Sequence, residues 1–132
     1  MANSGYRPTI LVVDDVAVIA ETLAKILHKS GYDVVTAYDG EDAIQAALLR
    51  PPELVISDIM LPGMNGIELG ITIRRIFPDC KVILSSGKPQ SEGLLAAALS
   101  AGNHFIFLQK PVPPDVLLAH VSQSLKSLMA SA

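Results

Sequence analysis

At 132 residues, half of them hydrophobic and 17% charged, the chain can bury the core of one domain and is too apolar to be disordered as a whole. Its 13 acidic and 10 basic residues leave a formal charge of −3, which excludes a basic footprint for nucleic acid. The single cysteine, Cys80, excludes an internal disulfide and points to a reducing, cytoplasmic compartment.

Met1 to Pro8 lacks the apolar core of a signal peptide and reads as a flexible tail, 1–8, before a domain over 9–129 and a short tail, 130–132. Thr9 to Val13 is a continuous apolar run, the pattern of a strand buried on both faces. After Asp14-Asp15, apolar residues at Val16, Ile19, Leu23, Ile26 and Leu27 step by three and four along one helix face, and Gly31 ends the helix. Asp33 to Thr36 predicts a second strand, and Glu41 to Leu49 a second helix stopped by Pro51-Pro52. Leu54 to Ser57 is a third strand, and the turn formers Pro62, Gly63, Asn65 and Gly66 separate it from a helix over Ile67 to Phe77. Lys81 to Ser85 predicts strand four and Glu92 to Ala101 helix four. The charge-free stretch between Glu92 and Lys110 is broken by Ser100, Gly102, Asn103, His104 and Gln109, short of the roughly 20 apolar residues of a membrane span. Phe105 to Leu108 predicts strand five, and Asp115 to Met129 a fifth helix with Pro114 in its first turn. Five strand–helix units with short connections imply an α/β fold, a parallel sheet covered on both faces.

Asp14 and Asp15 follow strand one, Asp58 strand three, Ser86 strand four and Lys110 strand five. The carboxyl ends of parallel strands share one edge, where open α/β sheets bind ligands. Three carboxylates gathered there repel one another unless a cation joins them. Mg²⁺ suits such a site, because it accepts few carboxylates and keeps room for phosphate oxygens. Lys110 adds a mobile positive charge and Ser86 a hydroxyl that donates to a phosphoryl oxygen or caps a turn. Together they favour phosphoryl transfer to a carboxylate nucleophile. Taken singly, Asp14-Asp15 would be helix-capping residues, Asp58 a loop residue and Lys110 a solvated surface group. Four strand ends on one edge outweigh that reading.

In Ile10-Leu11-Val12-Val13-Asp14-Asp15, Asp58-Ile59-Met60-Leu61-Pro62-Gly63-Met64-Asn65-Gly66, Val82-Ile83-Leu84-Ser85-Ser86-Gly87 and Lys110-Pro111, the chain resembles the receiver domain of two-component response regulators. The resemblance covers nearly the whole sequence, and the second segment is its most specific part. It implies a single doubly wound five-stranded sheet of order 2-1-3-4-5 with five helices on both faces. It further implies that Asp58 accepts a phosphoryl group from a histidine kinase or histidine phosphotransfer protein. Asp14 and Asp15 would hold Mg²⁺ with Asp58 and the backbone carbonyl of Met60. Ser86 would engage the phosphoryl group beside Lys110, the Lys110–Pro111 bond would be cis, and Phe107 would be the aromatic that turns inward. Activation would then shift the face formed by helix four, strand five and helix five.

The chain departs from the family pattern in four places. Seven residues separate Gly102 from Lys110 where six are usual, which makes Phe105 a competing switch aromatic. Val112-Pro113-Pro114 follows where an aromatic is common, and Asn103-His104 replaces acidic residues. Helix four reads Leu94-Leu95-Ala96-Ala97-Ala98-Leu99 and helix five carries only Asp115 and Lys126, so a salt-bridged dimer through this face is not expected. A well-buried helix four is the favoured reading, and an apolar partner surface the alternative. His28, His104 and His120 show no ligand spacing, and Cys80 reads as a small partly buried hydrophobe. Met60 and Lys88 flank the site as candidates for setting how long a phosphoryl group survives.

The sequence thus predicts a Mg²⁺-dependent phosphorylation switch that modifies only itself and is not a turnover enzyme. A downstream protein effector or a missing output domain would read it. One alternative is a non-phosphorylated binding scaffold, against which the intact acidic set argues. The other is an aspartyl-phosphate phosphohydrolase, which would need a carboxylate two residues after the nucleophile, where Met60 stands.

Overall fold

The computed structural model describes residues 5–131, so the expected tail residues 1–4 and 132 lie outside it. The elements alternate as β1 (Thr9–Val13), α1 (Ala17–Lys29), β2 (Asp33–Ala37), α2 (Gly40–Leu49), β3 (Leu54–Asp58), α3 (Gly66–Ile76), β4 (Lys81–Ser86), α4 (Gln90–Ser100), β5 (Ile106–Gln109) and α5 (Pro114–Ser131). The five strands form one parallel sheet in the order β2-β1-β3-β4-β5. This is the doubly wound topology that the resemblance implies.

Alternation along the strands divides the core in two. Leu11, Val13, Val55, Val82 and Leu84 face Ala43 and Ala47 of α2, Leu69 and Ile73 of α3, and Ala98 of α4. Ile10, Val12, Leu54, Ile56, Ile83 and Leu108 face Ala20 and Leu27 of α1 and Leu117, Val121 and Leu125 of α5. Strands so covered need apolar residues at every position, which explains continuous runs rather than alternation. Cys80 is buried, and burial pushes its thiol up to about 12, so it packs as an inert hydrophobe.

Two expectations are corrected. The periodic face of α1 is only partly a core face: Leu27 is buried and Leu23 and Ile26 are half-buried, whereas Val16 and Ile19 are exposed. These residues lie in the first turns after Asp15, where the chain has just left the sheet edge. Helix α4 is not well buried either; Ser91 and Ala98 are its buried residues, and Leu99 is exposed. A consecutive apolar run wraps the whole circumference, and a helix lying on a sheet covers only one stripe of it.

The segment before β5 is pinned to α3. A Cβ at Gly70 would lie 2.9 Å from Phe105 Cε1, so the ring occupies the space this glycine leaves. Arg74 stacks over the same ring, 4.3 Å from its centroid, and donates to the His104 carbonyl. At the other edge, Arg7 ties the chain entry down by bonding Asp33, the Tyr32 carbonyl and the carbonyl of His28.

The loop between β3 and α3 shows why its residue types recur in that order. Gly63 takes φ +71, a left-handed conformation that favours glycine. Asn65 caps α3 in a reciprocal pair with Glu68: its side chain accepts from Glu68 N, and its own N–H donates to the Glu68 carboxylate, both at 2.9 Å. Gly66 N–H then donates to the Ile59 carbonyl at 2.8 Å, folding the loop back onto Asp58. A Cβ at Gly66 would strike the Asp58 carbonyl and stand 2.9 Å from Ile59 Cα. Gly66→Ala should therefore destabilise the domain by about 1–3 kcal/mol through backbone overpacking, read from the urea midpoint at constant slope. An unchanged midpoint would show that the loop yields freely.

Candidate functional site at the carboxyl edge of the sheet

Strand register assembles the site. The last β1–β3 pair is Val13 with Ser57, so the next residues, Asp14 and Asp58, come level. Asp58 pairs with Ser85, which sets Ser86 one step beyond, and Ser86 pairs with Gln109, which sets Lys110 one step further. The Lys110–Pro111 peptide is cis.

Carboxylate oxygens of Asp14, Asp15 and Asp58 lie within 4.8 Å of one another. Asp14 is buried; its Oδ1 accepts from Val16 N at 3.0 Å and its Oδ2 from Lys110 Nζ at 3.0 Å. Lys110 Nζ also lies 3.6 Å from Asp58 Oδ2. Neither aspartate of the pair is the N-cap of α1, which is Val16 and makes no side-chain cap hydrogen bond to the helix. That removes the helix-capping reading of Asp14 and Asp15.

Burial raises the Asp58 carboxyl above its ordinary value, against the attraction of Lys110. Asp14 and Asp15 push it further up, and a hydrogen bond from the Met60 backbone pulls it down. All three donors are hard oxygens and one of them, Asp15, is open to solvent, so the cluster fits a hard divalent cation that keeps waters.

The remaining expected residues distribute around this cluster. Ser86 is buried, and its hydroxyl accepts from Lys88 N at 3.1 Å and from the Ser91 hydroxyl at 2.6 Å. Phe107 is half-buried, pairs with Leu84 and lies on the same side of the sheet as α4. Met60 is half-buried in the loop after Asp58, while Lys88 is exposed. Sequence reasoning missed two features. Ser91 fell just before the expected start of helix four, and its spacing of five from Ser86 carried no periodic signal. Val18 and Ile19 border an apolar cleft of about 530 Å³, lined also by Leu23, Ile26, Lys110 and Val112, whereas periodicity marks Ile19 only as part of an apolar helix face.

The chain matches the model of the response regulator receiver domain over residues 10–122. It is 35% identical over 102 residues to the probable transcriptional regulatory protein TcrX of Mycobacterium tuberculosis, covering 77% of this chain and 44% of that one. The chain thus spans less than half the length of this curated relative. Among solved structures, a CheY-like receiver domain protein from Methanospirillum hungatei superposes with TM-score 0.87 at 28% identity, covering 96% of this chain and all of that one. The receiver domain of an HD domain-containing protein from Pseudomonas fluorescens does so with TM-score 0.85 at 34% identity, covering 95% and 91%.

The raised Asp58 carboxyl has a consequence for stability. The folded protein binds this proton more tightly than the unfolded chain, so stability falls as pH rises from about 3.8 through the folded value and stays reduced above it. Without divalent metal, Asp58→Asn should melt a few degrees above wild type at pH 7, with the gain vanishing once pH falls below the ordinary carboxylate value. Thermal melts across pH check this; a gain independent of pH would assign it to packing instead.

Proposed function

Because the chain belongs to the response regulator receiver domain family, we propose that it is a phosphorylation switch in which Asp58 accepts a phosphoryl group from a phosphohistidine. The observation that carries this reading is the meeting of Asp58 with Asp14, Asp15 and Lys110 at one strand edge. An Asp58 oxygen attacks phosphorus, the P–N bond breaks, and the imidazole leaves with its electron pair to take up a proton. Burial and neighbouring carboxylates make the ionised Asp58 a more basic nucleophile. Lys110 and the Ser86 hydroxyl would take up charge on the phosphoryl oxygens. Asp14, Asp15, Asp58 and the Met60 carbonyl would hold Mg²⁺, which when bound offsets the carboxylate repulsion and the charge of the transferring group. Water attack later returns the free carboxylate, with Met60 and Lys88 as the flanking residues that set its rate.

This is a signalling step in the cytoplasm, modifying the chain itself. Val16, Val18 and Ile19 offer an exposed apolar surface beside the acidic edge, suited to a histidine kinase or phosphotransfer protein that must bring its imidazole to Asp58. The output surface would be α4, β5 and α5, where Leu99, Ile106 and Val116 are exposed. Phe107 supports this as the switch aromatic, since Phe105 is held between Gly70 and Arg74. A downstream protein or an attached output domain would read that surface.

Incubation with acetyl phosphate and Mg²⁺ should add one phosphoryl group to the intact mass of wild type and none to Asp58→Asn. Lys110→Ala should slow the addition about a hundredfold, the order expected for removing one preorganised charge stabiliser. No adduct on folded wild type would favour a binding scaffold, and rapid multiple turnover would favour a hydrolase.

A further inference from the structure

Ser86 and Ser91 are both buried polar residues, at 2% and 1% exposure, and each is the other's side-chain partner at 2.6 Å. Ser91 stands in the first turn of α4, where Pro89 at the N-cap provides no side-chain cap. A serine oxygen has two lone pairs and one proton. Here the Ser91 hydroxyl and Lys88 N–H donate to the Ser86 oxygen from the same segment, which leads into α4. With both acceptor positions taken, what Ser86 still offers is its own proton.

We propose that Ser91 is a positioning residue: its bond to Ser86 keeps the Ser86 hydroxyl a donor toward a phosphoryl group on Asp58 and couples that engagement to the first turn of α4. The inference rests on Asp58 being the acceptor. Its chemistry is a hydrogen-bond relay running from Ser91 O–H to Ser86 O–H and on to the phosphoryl oxygen. Each bond in such a chain polarises the next. Because α4 is held to the core by few buried side chains, a shift of Ser86 toward the phosphoryl group would draw Ser91, and with it the helix start, in the same direction.

Beryllofluoride with Mg²⁺ serves as the phosphoryl probe, its affinity measured by calorimetry on wild type, Ser91→Ala, Ser86→Ala, the double variant and Asp58→Asn. Ser91→Ala should bind roughly fivefold more weakly than wild type, the scale of one ordinary net hydrogen bond. The double variant should bind no more weakly than Ser86→Ala alone. Amide exchange over residues 90–95 should change on binding in wild type and not in Ser91→Ala. A second measurement needs no variant: the Ser91 hydroxyl proton, followed by NMR, should stay protected when beryllofluoride binds wild type.

Equal or tighter binding by Ser91→Ala, a further loss in the double variant, or exposure of the Ser91 proton on binding would overturn the inference. Tighter binding in particular would mean that Ser91 restrains Ser86 away from the site. The premise fails separately: wild type that binds no beryllofluoride, or binding that survives Asp58→Asn, overturns the acceptor reading and this inference with it.

Discussion

Like charge held at short range on a sheet edge is the constraint around which this molecule is arranged. Asp14, Asp15 and Asp58 would separate if their backbones were free, since like charges repel and Asp14 and Asp15 raise the cost of ionising Asp58. Their backbones are not free. Asp14 and Asp58 continue two hydrogen-bonded neighbouring strands whose apolar residues are buried on both faces. Hydrophobic burial along β1 and β3 thus supplies the force that keeps the acids together, and Lys110, arriving from β5, offsets part of the repulsion. An arrangement under such electrostatic load is sensitive to any charge brought near it.

The loops beyond the strands share this role. The β3–α3 connection is shaped by Gly63, the Asn65–Glu68 cap and the missing Cβ of Gly66, which bring the start of α3 against the Asp58 backbone. The β4–α4 connection instead places two hydroxyls in the interior. One side of Asp58 is therefore tightly packed, and the other opens into a helix with little buried surface.

Much of this was legible in residue order. Continuous apolar runs marked each strand, and Asp14, Asp58, Ser86 and Lys110 could be placed at strand ends before any coordinates. The expectation failed where an apolar residue had to be assigned to a neighbour. Ile19 fits the period of a core face but stands at the open start of α1, and the Leu94–Leu99 run suggested a buried α4 that turns out to be largely exposed. Periodicity reports which residues share a face and is silent on whether another element covers it.

By itself the sequence determined the alternation of strands and helices, the parallel sheet that this alternation implies, and the set of polar groups at the strand ends. These follow from local patterns, in which each residue is read against those next to it in the chain. Only the tertiary structure decided that Asp14 spans Val16 and Lys110 rather than capping α1, that Phe105 fills the gap at Gly70, and that Ser91 meets Ser86 in the interior. Those outcomes depend on atoms brought within a few ångströms from separate elements. The formal charge of −3 says nothing of them, because burial and distance, not the count, set how strongly each charge acts.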